Sequence, residues 1–84
     1  MNWTKLSEKK PTEEKQYLTV IKIKFFGVYY YEVHHWANNL RDTHLLDFNE
    51  VRYERGGFWD SDPEWGVYEV PNVIAWCEID EYEE

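Results

Sequence analysis

From Tyr17 to Val33 the chain reads YLTVIKIKFF, one glycine, then VYYYEV, and β-branched and aromatic residues dominate on both sides of that glycine. Such side chains lose rotamer freedom in a helix and pack well on a pleated surface, so both runs are expected as strands. Gly27 between them makes an antiparallel hairpin the natural connection. A register follows from the pattern. With residue numbers summing to 54 across the pair, Lys22 faces Glu32, Ile23 faces Tyr31 and Ile21 faces Val33. One face then gathers Ile21, Ile23, Phe25, Tyr29, Tyr31 and Val33 as a core; the other carries Lys22, Lys24, Tyr30, Glu32, His34 and Trp36. The turn strains this register, because Gly27 falls in the middle of a three-residue loop. Glycine is usually wanted at the last position of such a loop, and a one-residue slip stays open.

The rest of the chain reads as further short strands. Residues 1–16 form an N-terminal arm in which Trp3 and Leu6 serve as apolar anchors and one helical turn starts at Thr12. Ala37–Glu50 keeps no clean period, and reads as an irregular excursion with a short helical turn. VRYER-GG-FWDS has the two-glycine signature of a tight hairpin, DSDPEWG is a loop, and VYEV is a short strand. Pro71-Asn72 turns the chain into Val73–Ile79, apolar on both faces and therefore interior to a sheet. Residues 80–84 are expected to fray. The sum is one domain over residues 1–84 that is mainly β, of four to six antiparallel strands. A single curled sheet or a partly open small barrel satisfies it, with a small α+β fold as the alternative.

Eighty-four residues bury only about 60–65% of their unfolded surface, and 19% of this chain is aromatic. Not all sixteen rings fit inside, so some are expected at the surface, where aromatic clusters mark binding patches. The net charge is −8 and unevenly spread: all six lysines lie between Lys5 and Lys24, while Asp60–Glu84 holds nine acids and no base. That end repels phosphate, which disfavours nucleic acid and anionic membranes as partners. The one cysteine, Cys77, leaves no intramolecular disulfide, and no apolar run has membrane-spanning length; both point to a cytoplasmic protein.

No motif announces catalysis. His34, His35, His44 and Cys77 are ligand types, but adjacent strand residues point to opposite faces and no metal-binding spacing is present, so no metal or cofactor is expected. Ser7 and Ser61 sit in polar loops without a nucleophile elbow, and Cys77 lies in a core strand. Tyr30, Lys22, Lys24 and His34 on one face would suit single-stranded nucleic acid, against the acidic background.

The ends of the chain resemble a known family. WTKLSEKKP (Trp3–Pro11), followed by an apolar strand, is similar to the Trp-x-x-x-Ser-Glu-x-x-Pro opening of short phage and prophage proteins catalogued as domain of unknown function 551. Gly57-Phe58-Trp59 and Val73-x-x-Trp76 are similar to that family's aromatic pair and closing strand. The family's usual Thr-His-Trp-Met-Pro-Leu-Pro ending is replaced by IAWCEID, and the middle, roughly Tyr30–Arg55, is longer. The resemblance implies a small β-rich accessory protein of a phage or mobile element, and it carries no catalytic residues. The expected function is therefore non-enzymatic binding to another protein with a basic surface. The expected site is the loop bearing Trp59, Asp60, Asp62, Glu64, Trp65, Tyr68 and Glu69, aromatic anchors flanked by acids. The alternatives are an acidic DNA mimic that inhibits a host defence or nucleic-acid enzyme, a single-strand binder, and a virion component. The oligomeric state stays open.

Overall fold

The structure, a computed structural model, describes residues 2–80. Six strands make one antiparallel sheet: β1 (Thr4–Lys5), β2 (Gln16–Ile23), β3 (Val28–Ala37), β4 (Gly57–Asp62), β5 (Gly66–Glu69) and β6 (Val73–Cys77). Their spatial order is β1-β6-β2-β3-β4-β5. Three 3-10 turns, Leu40–Thr43, Leu46–Phe48 and Val51–Tyr53, fill the link from β3 to β4. The mainly β class, the strand number and the open, curled sheet are as the sequence led us to expect.

The curl follows from a chain-length constraint. β5 sits at one edge, and β6 lies four strands away beside β2. Four strand spacings are about 19 Å in a flat sheet, yet Val70–Asn72 spans about 14 Å at most. The sheet must therefore bend, and these three residues bridge its two sides. The Val70 amide donates to the Phe58 carbonyl (2.9 Å) and the Asn72 carbonyl accepts from Lys22 (3.1 Å).

The concave face holds the main core: Tyr17, Trp36, Phe58, Val70 and Trp76, with Leu6, Ile21 and Val73 packed against it. Edge-to-face contacts join Tyr17 to Trp76 (5.1 Å) and Trp36 to Phe58 (4.9 Å). Each large ring with a polar atom finds a partner for it. Tyr17 donates to the Glu13 carbonyl, Trp36 to Asn38 Oδ1 and Trp76 to the Lys9 carbonyl. A second cluster, Ala37, Leu40 and Phe48 with Leu45, Tyr53, Trp59 and Val67, lies on the opposite face, where the 3-10 turns cover β3–β5. Packing on both faces thus concentrates at one end of the sheet. The distal half of the β2–β3 hairpin projects beyond it, in keeping with a radius of gyration of 13.3 Å against about 12 Å for a compact chain of this length.

Several expectations hold. β6 lies inside the sheet between β1 and β2, and Leu6 anchors the arm while Trp3 rests on Tyr31. One extra residue in β6 sets Ala75 opposite Val20 but Val73 opposite Ile21, so Val73 and Trp76 both reach the core.

Other expectations are corrected. The β2–β3 pairs sum to 51, with Ile21 opposite Tyr30, Lys22 opposite Tyr29 and Ile23 opposite Val28. The loop is Lys24–Gly27, four residues long, with Gly27 at its last position and φ of 62°. Glycine alone occupies that left-handed position without cost, and this sets the register. An odd shift exchanges faces: Tyr29, Tyr31 and Val33 are exposed, and His34 and Trp36 are buried. The expected Gly-Gly hairpin is absent, since Val51–Tyr53 is a 3-10 turn. A Cβ on Gly56 would lie 2.8 Å from the Trp36 ring, and one on Gly57 2.8 Å from Leu40. Those glycines serve close approach and not a turn. Glu13–Lys15 shows bends in place of the helical turn expected from Thr12. Of the tail expected to fray, residues 81–84 lie outside the described residues.

Candidate functional site

The β4–β5 hairpin carries the residues singled out from sequence. Trp59 pairs with Glu69 and Asp60 with Tyr68, so the two pairs project to opposite faces. At the tip, Asp62 Oδ1 accepts from the Glu64 amide (2.8 Å) and the Trp65 amide (3.1 Å), and Gly66 closes the turn at φ 84°. This side-chain-to-backbone clasp fixes the turn before any ligand arrives. Trp65 stands on it 85% exposed. From the other side, Asp47 Oδ2 accepts from the Val67 amide and ties the hairpin to the 3-10 turns.

The seven expected residues therefore divide. Asp62, Glu64 and Trp65 gather at the tip, and Tyr68 stands half-exposed on the concave side. Trp59 is drawn inward: it stacks on His35 at 4.4 Å with planes 19° apart, and its edge meets Phe48. Glu69 binds the Arg55 guanidinium through both oxygens, which raises the pKa of Arg55. Asp60 is also engaged, in a cluster that sequence reasoning missed.

That cluster is centred on His34, 3% exposed on the concave face. Its Nδ1 lies 2.7 Å from Asp60 Oδ2 and its Nε2 lies 2.7 Å from Glu32 Oε2. Carboxylates accept, so a ring nitrogen that carries a proton donates to the carboxylate it faces. Thr19 Oγ1 donates to the Glu32 carbonyl and holds the strand beneath. Tyr68 borders the group; burial first, and then the negative charges of Asp60, Glu32 and Asp62, push its phenol pKa up. It stays a neutral donor. Half of this cluster was legible, because Glu32-x-His34 on a strand puts both on one face. Asp60 comes from 26 residues away and depended on a β3–β4 register that no local pattern encodes.

Chemically the cluster is a clamp. Both ring nitrogens of His34 lie against carboxylates, and the side chain is buried between them. It fastens the β4–β5 hairpin to β3 through Asp60. His35 is occupied by Trp59, and His44 is the left-handed residue ending the first 3-10 turn. Among the described residues no group of three or more His, Cys, Asp or Glu side chains is disposed to hold a metal ion. Cys77 is buried, and burial raises its thiol pKa. The face imagined for single-stranded nucleic acid does not form: Lys22 shares the outer face with Tyr29, while Tyr30 and buried His34 lie on the other. Among the described residues no helix is long and apolar enough to cross a membrane.

What the surface does offer is aromatic. Trp65, Tyr68, Tyr29, Tyr30, Tyr31 and Phe25 are all exposed. No family model, no curated protein and no solved structure matches this chain.

Proposed function

We propose that this protein is a non-enzymatic accessory protein that works by binding another protein, with the tip of the β4–β5 hairpin as its contact. The observation that carries this reading is Trp65, an almost fully exposed indole on a turn that the Asp62 carboxylate holds rigid. A large ring presented without ordering cost is the anchor expected of an interface hot spot. Asp62, Glu64 and the half-exposed Tyr68 flank it, and their charge favours a partner with a basic surface. The engaged nitrogens of His34 and the buried thiol of Cys77 support a role without catalysis. Cytoplasmic residence fits the single buried cysteine, and origin in a phage or mobile element rests on the Trp3–Pro11 resemblance.

The test is affinity capture from host lysate with wild-type protein and Trp65→Ala, read by mass spectrometry and repeated at high salt. Wild type is expected to retain a basic protein that Trp65→Ala loses at least tenfold, with melting temperature unchanged because the residue is 85% exposed. Equal retention by both proteins refutes the site. A captured nucleic-acid enzyme released by salt, and lost on neutralising Asp62 and Glu64, selects the DNA-mimic reading of the same tip.

A further inference from the structure

The projecting half of the β2–β3 hairpin has an open edge. The Trp36 amide donates to the Lys15 carbonyl (2.9 Å), so even-numbered residues of β3 turn their backbone groups toward β2 and odd-numbered ones turn theirs away. On that far edge β4 pairs with β3 only through His35–Ala37. Tyr29, Tyr31 and Val33 thus present three amides and three carbonyls with no strand of the described residues beside them. Sheets commonly blunt such an edge with lysine, proline or a bulge. Val28–Val33 has none of these, and its one charge, Glu32, is bonded to His34.

Charge varies along the edge. Residues 20–31 carry Lys22 and Lys24 and no acid, in a chain of net charge −8. Among the described residues neither lysine lies within ion-pair distance of a carboxylate. On the outer face, running from Val33 across β2 to β6, Leu18, Cys77 and Ile79 line a groove of about 760 Å³, and Glu78 beside it pairs with Lys15 (3.5 Å). The open edge is therefore basic at the hairpin tip, with Tyr29, Tyr31 and Val33 giving an apolar shelf along it.

We propose that β3 accepts an extended segment of a partner protein as a seventh strand, antiparallel, with apolar residues over the tyrosine shelf and acidic residues at its C-terminal end. An antiparallel strand beside β3 ends at the hairpin tip, which places those acids next to Lys22 and Lys24. Two strand spacings, about 10 Å, separate Lys22 from the added strand, and a lysine stem and a glutamate stem close that gap between them. Main-chain bonds provide affinity and the basic tip sets direction. This site lies on the other hairpin from Trp65 and has its own readout.

The experiment uses two peptides, Ac-Lys-Val-Thr-Val-Thr-Val-Glu-Glu-amide and its charge reversal, Ac-Glu-Val-Thr-Val-Thr-Val-Lys-Lys-amide. Amide exchange of Tyr29, Tyr31 and Val33 is followed by NMR. The first peptide is expected to slow exchange at these three amides at least tenfold, and the reversal to bind at least tenfold more weakly. Tyr31→Pro removes the response; its amide points away from β2, so the sheet loses no internal bond. The Lys22→Glu, Lys24→Glu double variant inverts the preference between peptides and guards against a proline variant that fails to fold. Unchanged exchange with millimolar peptide, or equal binding of both, overturns the proposal. So does slow exchange in the free protein with a dimer mass in sedimentation, which assigns the edge to a second copy.

Discussion

Replacing His34 with alanine tests the clamp at the centre of the concave face. Three losses follow from the structure. The bond to Asp60, whose side chain is 28% exposed, is a charge-assisted contact of about 2 kcal/mol. The bond to Glu32, whose side chain is 52% exposed, is screened by water and contributes roughly 0.5 kcal/mol. Removing a buried ring with partial collapse of the space adds about 1 kcal/mol. The sum, roughly 3.5 kcal/mol, lowers the melting temperature of a domain this size by roughly 14–28 °C. Urea titration at neutral pH measures it directly. Released from β3, the β4–β5 hairpin is also expected to exchange its Val67 and Tyr68 amides faster than the core. Asp60→Asn is expected to cost several times what Glu32→Gln costs, following their exposure. A loss below 1 kcal/mol for His34→Ala, or equal costs for the two carboxylate variants, refutes the clamp.

Three further outcomes are expected. Gly56→Ala drives a methyl into the buried Trp36 ring and costs about 1–3 kcal/mol in urea unfolding. Tyr17, whose phenol pKa is raised above the ordinary 10.0 mainly by burial, stabilises the fold below that pH, and the contribution is lost as pH rises through its folded value. Unfolding midpoints at pH 8 and 11 are expected to show a smaller alkaline loss in Tyr17→Phe than in wild type. Buried Cys77, its thiol pKa raised, is expected to alkylate with iodoacetamide about a hundredfold more slowly in native protein than in denaturing urea.

Local chemistry made the strands legible and non-local contacts decided the rest. Tyr17–Ile23 and Val28–Trp36 declare themselves by β-branched and aromatic side chains, and Val73–Cys77 by apolar residues on both faces. The register between the first two hung on how many residues precede Gly27 in the turn, and misplacing it put Tyr29, Tyr31 and Val33 in the core in place of His34 and Trp36. Gly56 and Gly57 resemble a hairpin turn because sequence shows their flexibility, not the Trp36 and Leu40 side chains above them. In the same way Trp59 and Glu69 looked like free docking groups until His35, Phe48 and Arg55 came into place. Trp65 stays exposed at the tip of its turn, while Tyr68 is half-covered beside the His34 cluster.

The bridging segment Val70–Asn72 also sets a timetable for synthesis. β6 is the last strand of the sheet to be translated, yet it fills the gap between β1 and β2, the two earliest. Roughly 54 residues separate Ile23 from Cys77, about 3–11 s at ribosomal speeds of about 5–20 residues per second. Through that interval β2 keeps its β6-facing edge bare and Tyr17 has no Trp76 to cover it. The nascent chain is thus prone to aggregate until β6 is made, and a delay in translating Val73–Cys77 should lower yield more than the same delay within the 3-10 turns.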